Sequence, residues 1–194
     1  MRLRSTLYSL ALLLSATRAV DMRAYQASAG VEPEFQNFIE KFYFVSEDPE
    51  LDVAYTLFWS SAASMILAGH EFTGWTDILN EKKKLLPPTG GKSWWHLIRG
   101  VTVQEETPTT KTYDADIVIQ TTYTPGNCSE AYGKAAFTIL KNDEGTPRLV
   151  PFTKSLSLYN LTLSTTDSPT DNPCSPTTSP TTKPEGWGED FAWW

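Results

Sequence analysis

The sequence predicts a single α+β domain. Three observations carry that expectation: an apolar period near 3.6 over the first part of the body, a change to a period of 2 from Ser93 onward, and two ends of different composition. At 194 residues, 40% hydrophobic and 20% charged, the chain can bury one core but not two ordinary ones. Sixteen basic against 23 acidic residues give a net charge of -7, which offers no general attraction to phosphate backbones or anionic lipid. Nucleic acid and membrane surfaces are therefore not expected as partners. Two Cys and two His are too few for a zinc module or a His-rich metal centre, and no phosphate loop, dinucleotide fingerprint or nucleophile motif occurs. No metal and no cofactor is expected.

Arg2 and Arg4 precede the apolar run Leu7 to Leu14, and small residues lead to a cut after Ala19, so residues 1–19 read as a secretory signal peptide. The run is too short to span a bilayer, which takes about 20 apolar residues. Removing it takes away three arginines and no acid, leaving a mature charge of -10. Export permits disulfides and N-linked glycans. Cys128 and Cys174 are the one intramolecular pair available, and closing that loop stabilises a fold by roughly 4 kcal/mol on the chain-entropy model. Asn127 and Asn160 each open an Asn-x-Ser/Thr acceptor.

Residues 20–31 read as an N-terminal extension and 32–163 as the folded domain. Phe35, Phe38, Ile39, Phe42 and Tyr43 share one helical face. That helix should stop near Ser46-Glu47-Asp48-Pro49, where Asp48 caps and Pro49 opens a second helix bearing Leu51, Ala54, Tyr55 and Phe58. Ser64 to Ala68 reads as a first strand, with His70 in the turn after it. A third helix runs from Gly74 to Pro87-Pro88, with Asp77, Glu81 and Lys82 to Lys84 expected in solvent. Four strands follow, Trp94 to Gln104, Thr112 to Thr124, Ala131 to Leu140 and Leu149 to Leu161, separated by turn residues that favour consecutive antiparallel pairing.

Between Ser164 and Pro184, 16 of 21 residues are Ser, Thr or Pro, so residues 164–185 read as a linker. Residues 186–194 form an aromatic tail in which Trp187, Phe191 and Trp194 share helical spacing. Exposed aromatic area of that size is expected to dock on the domain or a partner.

Phe42-Tyr43, Ser46, Asp48-Pro49, Tyr55, Phe58, Gly74, Ile78, Lys82 and His96 together resemble secreted fungal proteins of the SnoaL-like, nuclear-transport-factor-2-like superfamily, over about residues 35–163. The resemblance implies a cone-like α+β fold, three N-terminal helices packed on a curved, mainly antiparallel sheet, with a pocket between the layers. Relatives use such a pocket for isomerase, dehydratase, cyclase or epoxide hydrolase chemistry, or for binding alone. Fold does not choose among these.

The pocket candidates are Tyr43, Tyr55, Phe58, Trp94, His96 and Ile98. His96 shares a strand face with Trp94 and Ile98 and is the best candidate general base, although a lone strand histidine among apolar neighbours is first of all a core or rim residue. Asp114 and Asp116 share one strand face and read as a solvated face rather than a paired-carboxylate site. The leading expectation is a secreted, non-catalytic pocket protein binding a small apolar ligand or a protein partner. The alternatives are a secreted isomerase, dehydratase or cyclase using His96, and a homodimeric interaction module.

Overall fold

The computed structural model describes residues 20–123 and 128–164. The expectations that rest on residues 1–19, on Asn127, on Cys174 and on the linker and tail after Ser164 lie outside the described residues.

The chain runs β1 (Gln26–Ala27), α1 (Glu34–Glu47), α2 (Asp52–Thr56), β2 (Trp59–Leu67), β3 (His70–Thr73), α3 (Gly74–Leu85), β4 (Lys92–Glu106), β5 (Thr110–Tyr123), β6 (Cys128–Leu140) and β7 (Leu156–Ser164). The strands form one sheet in the order β1-β4-β5-β6-β7-β2-β3. The expected consecutive antiparallel run from β4 to β7 is present. At its two sides β1 pairs with β4 and β2 with β7 in parallel, contacts between distant segments that a local pattern does not announce. Register shifts at Ile98/Val101 and Val103/Glu105 in β4, and between Trp59 and Ser64 in β2, bend the sheet.

α1 lies across the inner face, because its apolar stripe meets the aromatic residues of the sheet: Phe35 stacks on Tyr113 at 4.1 Å and Phe42 meets Phe137 edge-on at 5.3 Å. Among the described residues no helix is long and apolar enough to cross a membrane.

Several sequence expectations change. The helices are not all N-terminal, since α3 follows the β2–β3 hairpin. Asp48 does not open α2: its Oδ1 accepts the Glu50 N–H at 2.8 Å in a tight turn, and α2 starts later, at Asp52. The first main strand begins at Trp59 rather than Ser64, because the small residues around its bulge carry no apolar alternation. His70 is no turn residue. The turn is Ala68-Gly69, both at positive φ, and His70 pairs with Leu67 to open β3. On α3, Trp75 is 52% exposed while Lys82 is 3% exposed, the reverse of what residue type suggests. The last strand starts at Leu156, because residues 141–155 form turns with Phe152 and Lys154 at positive φ.

Candidate functional site

A cavity of about 510 Å³ opens between the helices and the inner face of the sheet. Phe42, Tyr43 and Ser46 of α1 form its roof with Tyr55 of α2, and Met65, Leu67 and Phe72 come from the β2–β3 hairpin. Trp94 of β4, Ile119 and Thr121 of β5, and Tyr159 and Leu161 of β7 form the floor, all on one face by the two-residue period of the strands. Tyr123 and Leu163, each 42% exposed, and exposed His70 mark its mouth.

Several polar side chains of the wall are engaged with the protein itself, while His70, Lys92, Thr121 and Tyr123 lie toward the sheet end and mouth of the lining. Ser46 Oγ donates to the Phe42 carbonyl at 2.7 Å. Glu81 meets Lys84 at 3.1 Å. Lys82 Nζ donates to the Asp48 carbonyl at 2.8 Å and to Asp52 Oδ1 at 3.2 Å, and lies 5.2 Å from the Tyr55 ring centroid. The cation thus ties the α1–α2 corner to α3. Burial lowers its pKa, and the pairing with Asp52 opposes that fall.

Beside Tyr123 at the mouth, three buried phenols remain. The hydroxyls of Tyr43 and Tyr159 are 3.2 Å apart, and Tyr55 donates to Met65 Sδ at 3.6 Å. Burial raises all three pKa values, so each phenol keeps its proton at neutral pH. In the Tyr43–Tyr159 pair one hydroxyl donates to the other, so the accepting hydroxyl keeps a proton that this bond does not use.

Of the residues singled out from sequence, Tyr43, Tyr55 and Trp94 line this cavity. Phe58 and Ile98 lie in the core, each 0% exposed, and form no part of its lining. His96 is one layer behind: 4% exposed, stacked on Tyr43 with ring centroids 4.2 Å apart, and edge-on to Trp94 at 6.3 Å. Its Nδ1 is 2.9 Å from Glu47 Oε1, which also accepts the His96 backbone N–H at 2.7 Å. Glu47, Lys82 and Tyr159 were not legible as site residues. Glu47 sits four positions after Tyr43, and Lys82 four after the core residue Ile78, so helical spacing held the signal. Tyr159 alternates with Leu161 and Leu163 on β7.

Asp114 and Asp116 lie away from the cavity. Asp116 is exposed and 3.7 Å from Lys134, and burial raises the Asp114 carboxyl. Asn160 is half-buried in β7, between Ala136 of β6 and Ile66 of β2. Cys128 pairs with Thr122 at the end of β6.

No family model and no curated protein matches the chain in sequence. Solved structures do match in shape. The protein Aln2 from a Streptomyces species is similar at a TM-score of 0.51 and 16% identity, over 68% of this chain and 91% of that one. A protein from Novosphingobium aromaticivorans proposed to be a scytalone dehydratase is similar at 0.54 and 11%, over 68% and 82%. A second from that bacterium, proposed to be an aromatic ring hydroxylase, is similar at 0.55 and 12%, over 67% and 86%. At these identities the likeness is one of fold alone, the mixed α+β fold with one curved sheet described above.

Proposed function

We propose that this chain is an exported pocket protein that binds a small, largely apolar ligand carrying an acceptor oxygen, without acting on it chemically. One observation carries the reading: an aromatic cavity lined by the buried phenols of Tyr43, Tyr55 and Tyr159, in which the buried ammonium of Lys82 is held by protein oxygens. The size of the cavity suits a ring system, and the Tyr43–Tyr159 pair suits a ketone, ether or lactone oxygen on it. Titration with an aromatic ketone and its hydrocarbon isostere tests this. The ketone should bind more tightly by roughly twofold to tenfold, the worth of one net hydrogen bond. The preference should vanish in the Tyr43→Phe/Tyr159→Phe double variant, and equal affinity for both probes in the parent protein would remove the acceptor-oxygen assignment.

The second reading, an isomerase or dehydratase, is favoured by the Glu47–His96 pair packed directly behind Tyr43. A proton relay from that pair would have to pass the wall formed by Tyr43 and Trp94. Turnover abolished by His96→Ala, with folding intact, decides for it.

Export also makes the Cys128–Cys174 bond reachable. β7 ends at Ser164, opposite Tyr132 and four residues along β6 from Cys128, a separation of roughly 13 Å at strand rise. The ten residues from Ser164 to Cys174 span up to about 33 Å when extended. A glycan at Asn160 would stand on the face opposite Tyr159 and Leu161, and would oppose homodimerisation through that face.

A further inference from the structure

The inner face of the sheet changes character along its strands. Around Tyr43 and Tyr159 the cavity is walled by aromatic rings, and the polar side chains there each make a bond within the protein. At the other end of the lining the chain turns through Gly90 and Gly91, both at positive φ, and Lys92 then opens β4 on the same face as Trp94. On β5, Tyr123 stands in register with Lys92, and Thr121 with Trp94. Lys92, Thr121 and Tyr123 all line the cavity, and among the described residues their side chains make no hydrogen bond or ion pair. Directly opposed residues on one face stand about 5 Å apart at Cβ and diagonal ones about 7–8 Å. An ammonium and two hydroxyls therefore meet at one place with their protons unused.

We propose that the ligand of this cavity is an amphipathic acid, whose carboxylate sits against Lys92, Thr121 and Tyr123 while its apolar body fills the aromatic part, an assignment that rests on the pocket reading above and adds the ligand's second functional group. A carboxylate fits these donors in charge and in number. One ammonium balances its single charge, and its two oxygens accept from the ammonium and the hydroxyls. A phosphate monoester, with nearly two charges at neutral pH, would leave one of them uncompensated. The other charged groups of the lining are already engaged: Glu81 is held by Lys84 at 3.1 Å, and Lys82 by the Asp48 carbonyl and Asp52. The chain as a whole carries -7, so its net field does not draw an anion in, and the preference has to come from the half-buried Lys92 itself. Lys92 lies four residues along β4 from His96, on which Tyr43 stacks. That is roughly 13 Å at strand rise, which leaves room for a ring between the acid and an oxygen at the Tyr43–Tyr159 pair.

Three probes built on one aryl ketone test it by titration: benzophenone, para-benzoylbenzoic acid, and the methyl ester of that acid. At neutral pH and low salt the ionised acid should bind more tightly than its ester by roughly fivefold to tenfold, between the worth of an exposed ion pair and that of a hydrogen bond to a buried charge. The excess should shrink in about 1 M salt. Lys92→Gln should bring the acid down to the affinity of its ester, and Lys92→Arg, which keeps the charge, should retain the excess. Lys134→Gln, on the exposed outer face beside Asp116, should leave the excess in place. If Lys92→Gln does not fold, the salt series on the parent protein decides, and an excess indifferent to salt overturns the proposal. An acid no tighter than its ester overturns it as well, as does an excess that survives Lys92→Gln in folded protein. Binding of benzophenone and the ester with no gain from the acid removes the carboxylate site and leaves the pocket reading standing, whereas failure of all three probes to bind removes both.

Discussion

Replacing His96 separates what this residue does for the fold from what it does for the cavity. The side chains of His96 and Glu47 are 5% and 4% exposed and 2.9 Å apart. Removing one member of a buried hydrogen-bonded pair leaves the other short of a partner, which costs about 1–3 kcal/mol. Glu47 keeps its 2.7 Å bond from the residue 96 backbone N–H in any variant, which keeps the expected cost inside that range, about 2 kcal/mol. His96→Phe preserves a ring against Tyr43, whereas His96→Ala also forfeits that stack, worth about 0.5–1.5 kcal/mol more. For a domain of this size a loss of about 2 kcal/mol lowers Tm by roughly 6 °C. Ligand affinity should stay within about tenfold, or 1.4 kcal/mol, because His96 is not part of the cavity wall. Urea unfolding followed by ligand titration on the same samples reads both quantities. An unchanged midpoint in His96→Phe would refute the buried-pair account, and a loss of affinity beyond tenfold in a natively folded variant would place His96 in the site.

At Gly133 an added Cβ would lie 2.8 Å from the Thr162 carbonyl and 3.1–3.2 Å from Leu163 and Leu161. Gly133→Val should therefore cost about 1–3 kcal/mol in urea unfolding and weaken ligand binding by crowding two leucines of the cavity. Burial alone would raise the Glu32 carboxyl, but hydrogen bonds from Lys111 at 2.7 Å and Tyr113 at 2.6 Å outweigh it and hold the pKa below its ordinary value. The stabilisation this gives is present above the unfolded carboxylate value and is lost as pH falls through the folded one, so the stability gap between parent and Glu32→Gln should shrink on acidification. A gap that does not narrow would argue against the Lys111 latch. Peptide mapping of freshly secreted protein should find Cys128 joined to Cys174, and free thiols there would remove the crosslink. Truncation after Pro184 should change stability, oligomeric mass or ligand binding if the aromatic tail docks; no change in all three would show that it does not.

The layered α+β architecture was legible because each period is a local property. The face of α1 bearing Phe35, Phe38 and Phe42, and the strand alternation of Tyr113, Ala115 and Ile117, are set by neighbours a few residues apart. The parallel pairings of β1 with β4 and of β2 with β7 were not legible, since they join segments distant in sequence. The charged residues misled for a related reason. Lys82 lies within a run of three lysines that reads as a solvated face, yet the oxygens that make its burial tolerable come from Asp48 and Asp52, about 30 residues earlier. Glu47 read only as part of a helix stop, because its partner His96 is on another element. Tyr43, Tyr55 and Trp94 are aromatic residues whose side chains line the cavity. Phe58 and Ile98 have the same character, and whether such a residue lines the cavity or fills the core depends on depth, which no period encodes.

Native mass spectrometry of protein from a secreting host tests the pocket-binding claim most directly. The account predicts a one-to-one adduct of a few hundred daltons, the scale a cavity of this volume accepts. Thr121→Trp, which fills the cavity from its floor, should abolish that adduct, while Asp116→Asn on the exposed outer face should leave it in place. An adduct that survives Thr121→Trp in folded protein, or a parent protein that neither retains a molecule nor binds an aromatic ketone added to it, would contradict the account.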